Sequence, residues 1–170
     1  TMGTEVAQET MRQANIDDVG GIWKRIEPLE NEGILVRRGR ERMEMEIAHF
    51  YVMEHDNRTI GCAALHPFTQ EKQVEFACLA IDPEYRGGGR GDKLFNYCQQ
   101  QAKNLGFKQL FCLTTRTEHW FLERGFVEQS VEELPLEKKK MYNFQRKSKV
   151  FVKTLWANIS YNITTQDNLI

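Results

Sequence analysis

The sequence lacks the features that would indicate a metal site, a membrane span or a general nucleic-acid binder. Its four cysteines show no CxxC spacing and its four histidines are scattered, which argues against a zinc site. The cysteines all lie in apolar segments, so we expect reduced, buried thiols in a cytoplasmic protein rather than disulfides. No apolar run approaches the roughly 20 residues that span a bilayer. The net charge of −1 is far from the strongly basic balance of a nucleic-acid-binding domain.

What the sequence does have is the composition of a globular protein. It contains 170 residues, of which 41% are hydrophobic and 28% charged, so one domain with a sizeable core is expected. We predict that this domain covers residues 1–156. Residues 157–170 are polar and show no periodicity, which predicts a flexible C-terminal tail.

The hydrophobic pattern predicts a mixed α/β sheet with helices on both faces, in the order β-α-α-β-β-β-α-β-α-β-β. Strands are expected at 5–13, 50–54, 60–65, 73–81, 109–113 and 149–155. Helices are expected from Asn15 or Asp17 to about residue 30, and at about 40–48, 91–105, 118–124 and 135–140. Residues 55–58 should form a tight turn, and Gly125 should end the helix before it.

The most informative segment is residues 79–91, where an apolar strand gives way to a loop of arginine and glycine and then to a helix. Backbone N–H groups at a helix start have no partners within the helix, and the helix dipole favours an anion there. The segment lacks the P-loop spacing and the dinucleotide fingerprint. The spacing it does show is Arg-x-x-Gly-x-Gly, as Arg86, Gly89 and Gly91. A phosphorylated ligand is the favoured interpretation, and a flexible turn or a short Arg/Gly nucleic-acid segment are the alternatives.

Glu75 is a second candidate, because it lies inside a predicted strand between Val74 and Phe76. A carboxylate in the middle of a sheet is costly unless it is paired or functional. The alternative is a carboxylate on the exposed face of the strand.

The element order and the glycine loop together resemble the GNAT family of N-acetyltransferases, whose loop amides hold the pyrophosphate of acyl-CoA. Five further segments, in the same order, resemble the catalytic domain of the bacterial N-acetylglutamate synthases: 35–38, 61–65, 113–117, 119–126 and 146–148. The similarity runs from about residue 11 to 155. It implies an acyl-CoA N-acyltransferase fold and direct transfer of the acetyl group of acetyl-CoA to the α-amino group of L-glutamate in a ternary complex. That reaction is the first step of arginine biosynthesis.

The resemblance also implies roles for individual residues. Glu75 takes the position of the general base, acting directly or through water. Thr114 becomes the candidate proton donor to the CoA thiolate, because Phe121 stands where many family members carry a tyrosine. The CoA would be held by strand residues Cys78, Leu79, Ala80 and Ile81 and by loop residues Arg86, Gly87, Gly88, Gly89, Arg90 and Gly91. A covalent mechanism through Cys78 has no histidine partner evident in the sequence.

Recognition of glutamate is implied for Arg38, Arg146 and Ser148, since planar guanidinium groups suit a dicarboxylic amino acid. The alternative for Arg38 and for Arg146 is a charged side chain exposed to solvent. Residues 138–140 are all lysines, and we interpret them as a solvated helix face that could attract anionic acetyl-CoA. The expected partners are L-glutamate and acetyl-CoA, with no metal, nucleic acid or membrane. Four alternatives stay open: a homo-oligomer, an upstream amino-acid-kinase-like domain, acetylation of another amine, and a regulatory module that binds acetyl-CoA without catalysis.

Overall fold

The computed structural model describes residues 9–142 and 146–155. The chain divides into two compact units. Unit 1 comprises residues 1–66 and 76–99, and unit 2 comprises residues 67–75 and 100–170. The predicted tail lies outside the described residues, so the boundary at residue 156 stays a prediction.

The described residues form seven strands and five α-helices, joined by short 3-10 turns. The strands are β1 (Glu9–Gln13), β2 (Phe50–His55), β3 (Arg58–Phe68), β4 (Gln73–Ile81), β5 (Gln109–Thr114), β6 (Val127–Gln129) and β7 (Lys149–Thr154). The helices are α1 (Val19–Asn31), α2 (Arg40–Glu46), α3 (Arg90–Asn104), α4 (Glu118–Leu122) and α5 (Leu136–Met141).

The strands form one mixed sheet in the order β1-β2-β3-β4-β5-β7-β6, which confirms the predicted α/β class. The pairs β1–β2, β2–β3, β5–β7 and β6–β7 are antiparallel, and β4–β5 is parallel. The predicted order ended in two consecutive strands, whereas α5 lies between β6 and β7. Strand β6 has only three residues, all exposed, so it carries no hydrophobic pattern that would have located it.

Helix α1 forms where the apolar spacing predicted it. Asn15 accepts a hydrogen bond from the Asp17 N–H, and Asp18 completes a capping box on the 3-10 turn that precedes the helix. Ile22 and Ile26 are fully buried and join the core of unit 1 with residues of β2, β3 and β4. Burial of side chains of this size stabilises the fold by about 1.5–3 kcal/mol each.

Two predicted turns have the expected backbone. Asp56 and Asn57 adopt φ values of 50° and 66° between β2 and β3, and Gly125 has φ 90° after α4. Gly61 on β3 meets a different requirement. A Cβ atom there would lie 2.7 Å from Cδ1 of Ile81, so any larger residue would push against the end of β4.

Unit 2 has its own core, centred on Phe111, Leu134 and Val150. The first three residues of β4 belong to this unit and pair with β5 as Gln73↔Gln109, Val74↔Leu110 and Glu75↔Phe111. Within the described residues, the β4–β5 register ends at the Glu75 pair. The rest of β4 therefore continues without this neighbour on that side.

Two further observations bear on the sequence-based exclusions. Among the helices of residues 9–142 and 146–155, none has the length and apolar character needed to cross a bilayer. In the same residues no group of three or more His, Cys, Asp or Glu side chains is arranged to hold a metal ion.

Candidate functional site

The glycine loop of unit 1 has a backbone conformation compatible with the predicted binding of an anion. Asp82 ends β4 and accepts a hydrogen bond from the Glu84 N–H, which starts a 3-10 turn at 83–85. Gly87 and Gly89 adopt φ values of 87° and 74°, which side-chain-bearing residues rarely reach. The Lys93 N–H donates to the Gly89 carbonyl and closes the first turn of α3. The backbone amides of this first turn are directed away from the helix body, at its positive dipole end.

The predicted loop residues are exposed from Arg86 to Gly89, as binding of a large ligand requires. The Arg90 side chain, in contrast, is partly buried and held by contacts within the protein. Its guanidinium donates to the Glu9 carboxylate through Nε and Nη2 and to the Tyr85 carbonyl, and it lies 5.1 Å from the centre of the Tyr85 ring. The Arg90 hydrogen bond lowers the pKa of the Glu9 carboxyl. The Arg90 side chain is thus engaged with Glu9 and Tyr85, and a contact between its backbone amide and a ligand stays a prediction.

Asp82 anchors the start of this loop. Its side chain is buried and lies 2.6 Å from Nη1 of Arg25 on α1 and 3.5 Å from Nη2 of Arg58 on β3. A buried carboxylate needs such partners, because desolvation of an unpaired charge is costly. The sequence marked Asp82 only as the end of a strand, and nothing local to it indicated either arginine.

Arg38 lies in unit 1 and reaches strand β4. Its Nη1 is 2.7 Å from Sγ of Cys78, and its Nε is 2.9 Å from Oε1 of Glu46 on α2. Its backbone N–H donates to the carboxylate of buried Glu30 at 2.7 Å. Only 12% of the Arg38 side chain is exposed, so it is not the solvated charge that was the alternative interpretation. Two residues predicted for different roles, Arg38 and Cys78, are therefore in contact.

Cys78 interrupts the regular extended backbone of β4. Its φ of 59° is unusual for a residue other than glycine, and its carbonyl faces the thiol of Cys62 at 3.6 Å. Leu79, Ala80 and Ile81 then continue the strand toward the glycine loop. All four cysteines are free and buried, as predicted. Burial raises the pKa of the Cys98 thiol to about 12 and also raises the pKa values of Cys62 and Cys112, which keeps those three thiols protonated.

Glu75 lies in unit 2 and is buried, with only 7% of the residue exposed. This excludes the alternative of a carboxylate on an exposed strand face. Its Oε1 is 2.8 Å from Nζ of Lys138 on α5. The predicted solvated lysine face is therefore wrong for Lys138, whereas Lys140 has a mostly exposed side chain that pairs with Glu137. Sequence reasoning missed Lys138 because three consecutive lysines give no sign of which one turns inward.

Thr114 ends β5 and organises the turn that follows. Its Oγ1 accepts hydrogen bonds from the N–H groups of Arg116 and Thr117 and lies 2.7 Å from Oγ1 of Thr117. Because these two N–H groups occupy both lone pairs of the Thr114 oxygen, its hydroxyl proton is directed to Thr117 and becomes available for donation when that contact is released. Its predicted role as general acid is compatible with this geometry and stays a prediction.

Arg146 and Ser148 lie just before β7 in unit 2. Arg146 is partly exposed, Ser148 is buried, and the Ser148 carbonyl accepts a hydrogen bond of 2.6 Å from the Tyr142 hydroxyl. Lys147 between them has φ 54°, so the two flanking side chains leave the backbone from a sharp bend. Their proposed contact with a substrate carboxylate stays a prediction.

Unit 2 also contains a cavity of about 360 Å³, which none of the predicted site residues lines. Its walls come from β5, β6, β7 and the adjoining turns, and they include Lys153 and Glu133. Desolvation lowers the pKa of the Lys153 ammonium, with a smaller contribution from Lys103.

Comparison with known proteins places this architecture. Residues 46–128 match the acetyltransferase (GNAT) domain family. The amino-acid acetyltransferase of Photobacterium profundum is 53% identical over 154 residues, which are 89% of this chain and 35% of that protein. The same enzyme of Pseudomonas aeruginosa is 54% identical over 156 residues, covering 90% of this chain and 36% of that protein. The chain thus spans about a third of the length of these curated relatives.

A solved structure gives the same result. N-acetylglutamate synthase from Neisseria gonorrhoeae, complexed with coenzyme A and N-acetyl-glutamate, superposes with a TM-score of 0.83 at 40% identity, over 89% of this chain and 36% of that one. The predicted acyl-CoA N-acyltransferase fold is confirmed. The chain therefore carries a domain of the GNAT acetyltransferase family.

Proposed function

We propose that this domain transfers the acetyl group of acetyl-CoA to the α-amino group of L-glutamate. The observation that carries the proposal is the guanidinium of Arg38, which is mostly shielded from solvent and held against β4 at Cys78. An oriented guanidinium is suited to a carboxylate, because it offers parallel N–H donors with little loss of side-chain entropy. The amino-acid acetyltransferase relatives and the N-acetyl-glutamate complex of the Neisseria enzyme support the same acceptor class.

Acetyl-CoA would bind along β4 and at the glycine loop. The β4–β5 register ends at Glu75, so the β4 edge from residue 76 to 81 is suited to an extended pantetheine arm. The loop amides and the start of α3 are suited to the pyrophosphate. The side chain of Arg86, exposed at the loop, would add positive charge there.

The reaction needs a proton acceptor, because an ammonium cannot attack a thioester. Glu75 accepts one proton from the glutamate ammonium, directly or through water, and the free amine attacks the acetyl carbonyl. Collapse of the tetrahedral adduct breaks the C–S bond, and the second proton that the substrate nitrogen loses passes through Thr114 or water to the CoA thiolate. Thr114 is thereby left protonated, and the proton held by Glu75 is released to solvent. One acetyl-CoA and one glutamate give one N-acetylglutamate and one CoA. No covalent enzyme intermediate is required.

The test is a panel of amino acids incubated with acetyl-CoA and the purified chain, with released CoA measured by a thiol reagent and products identified by mass spectrometry. L-Glutamate should release CoA fastest and give N-acetylglutamate. Equal rates across the panel would contradict the glutamate proposal while leaving an acetyltransferase. Tight binding of acetyl-CoA by calorimetry without turnover of any amine would instead favour a regulatory module.

A further inference from the structure

The ion pair between Lys138 and Glu75 concerns the group that is proposed to take the substrate's proton. Nζ of Lys138 lies 2.8 Å from Oε1 of Glu75, and the two side chains are 21% and 9% exposed. At this distance the ammonium and the carboxylate form a close ion pair. Because both groups are largely removed from water, each one is the main source of compensation for the other's charge.

The neighbouring lysines of α5 do not share this environment. Lys139 pairs with Glu132 and Lys140 pairs with Glu137, and in both pairs the carboxylate is more than two-thirds exposed. Exposed pairs of this kind contribute little to stability. One of three consecutive lysines is thus directed to a buried carboxylate, and the other two remain at the surface.

A titratable group on β5 that is affected by the Glu75 charge is the thiol of Cys112. Burial raises the pKa of this thiol and the Glu75 charge adds to the effect, so Cys112 stays neutral and does not compensate the carboxylate. Val74 and Phe76, which flank Glu75 on β4, are apolar and buried. Within residues 9–142 and 146–155, Glu75 therefore forms its ion pair with Lys138 on α5.

The chemistry of Lys138 matches that of the proposed substrate. Both present a primary ammonium, and a general base must lie within about 2.6–3.2 Å of the group from which it takes a proton. Lys138 already holds an ammonium at that distance. A substrate ammonium that approaches the same carboxylate has to share it or replace Lys138.

We propose that Lys138 is a positioning residue that keeps Glu75 ionised and aimed before the acceptor arrives, with its ammonium standing in for that of the substrate. The inference rests on the proposed function, in which Glu75 is the base. Without Lys138, the buried carboxylate would lose the cation that compensates its charge, and burial disfavours the charged form of a carboxyl group. The activity lost on removing Lys138 would be recovered at higher pH, where the charged carboxylate is favoured again.

The test compares Lys138→Met, Lys138→Arg and the matched surface control Lys140→Met in the full chain. The readout is kcat/KM from pH 6 to 9.5, measured with the amino acid that the wild-type chain uses best. The kcat/KM of Lys138→Met should be at least tenfold below that of wild type at pH 6.5 and within about threefold of it at pH 9.5. Lys138→Arg should keep most of the wild-type acid limb, and Lys140→Met should overlay wild type. Overlay of the Lys138→Met and wild-type profiles, or an equal loss at every pH, would overturn the proposal.

A second arm does not depend on turnover. The melting temperature of Lys138→Met should fall relative to wild type at pH 8.5 by more than it falls at pH 5.5, because a lower pH favours the neutral form of a buried carboxyl group that has lost its cation. The double variant Glu75→Gln/Lys138→Met should recover most of the lost melting temperature, because it has no buried charge left unpaired. It replaces the single variant in the comparison if Lys138→Met folds poorly. An equal loss at both pH values would overturn the pairing role. If wild type turns over no amino acid, the proposed function fails, and this arm still tests the ion pair.

Discussion

Glu46 holds the guanidinium of Arg38, and replacing it with alanine tests whether that orientation matters for binding the acceptor. Oε1 of Glu46 is 2.9 Å from Nε of Arg38, with the two side chains 21% and 12% exposed. The same carboxylate faces Arg42 at 3.1 Å and Nδ1 of His66 at 3.7 Å. Glu46 thus brings several basic side chains together and fixes the one that reaches β4.

The size of the effect follows from this contact. Breaking an ion pair costs about 0.2–1 kcal/mol when the pair is exposed and about 3–5 kcal/mol when it is fully buried, and the Arg38–Glu46 pair lies between these limits. Because Arg42 shares the Glu46 oxygen and the pair keeps some solvent contact, the cost lies toward the lower of these limits, which corresponds to about a tenfold weaker hold on the substrate carboxylate. Glu46→Ala should therefore raise the KM for L-glutamate about tenfold. The value of kcat should stay within about twofold, because Glu46 lies away from the reacting atoms.

The assay is CoA release at saturating acetyl-CoA with L-glutamate varied, followed by the reverse titration. The matched control is Glu44→Ala on the same helix, since Glu44 forms an exposed pair with Arg40 at 3.4 Å. The control should leave both KM values unchanged. The reasoning would be refuted if Glu46→Ala lowered the KM for glutamate, which would mean that Glu46 competes with the substrate for Arg38. An equal rise in the KM for acetyl-CoA would also refute it.

Three further predictions address the base, the packing and the acid stability of the fold. Glu75→Gln should lower kcat by about 10²–10⁴-fold while the Kd for acetyl-CoA, measured by calorimetry, stays within about twofold; unchanged turnover would exclude Glu75 as the base. Gly61→Val should lower the free energy of unfolding by about 1–3 kcal/mol, because its Cβ would contact Ile81, and urea unfolding that matches wild type would contradict this. The hydrogen bond from Arg12 lowers the pKa of the Asp18 carboxyl in the folded protein below the value near 3.8 that it has in the unfolded chain. The stabilisation of the fold by this pair is therefore present above pH 3.8 and is lost as the pH falls through the pKa of the folded state. The difference in melting temperature between wild type and Asp18→Asn should therefore be largest near pH 7 and shrink toward pH 3, and a constant difference would show that the ion pair is not its source.

Much of the secondary structure could be predicted from local sequence, because each element carries its own pattern. Strand β4 occupies 73–81 as its apolar run indicated, and α3 begins within the glycine loop. The left-handed residues at 56–57 and at Gly125 were indicated by turn chemistry. The position of strand β6 escaped prediction, since three exposed residues have no periodicity and owe their conformation to pairing with β7.

The sequence predicted those parts of the candidate site whose residues are close together in the chain. It did not predict the parts whose residues meet only through tertiary contacts. The glycine loop is a local motif, and its backbone conformation was expected. The partners of the charged residues were not, because Glu75–Lys138 and Arg38–Cys78 join segments far apart in the chain. The side chain of Arg90 shows the same limit: its sequence position suggests a phosphate ligand, and its guanidinium is directed to Glu9.

The most direct test of the account is the ratio of kcat/KM for L-glutamate to that for L-glutamine, measured by CoA release with acetyl-CoA. The two acceptors have nearly the same shape and differ in the charge that Arg38 is proposed to recognise. We predict that glutamate is preferred by about a hundredfold or more, since a site built for a polar group leaves that group unpaired with the wrong substrate. Equal values for the two amino acids, or release of CoA only with a different class of amine, would contradict the proposed function.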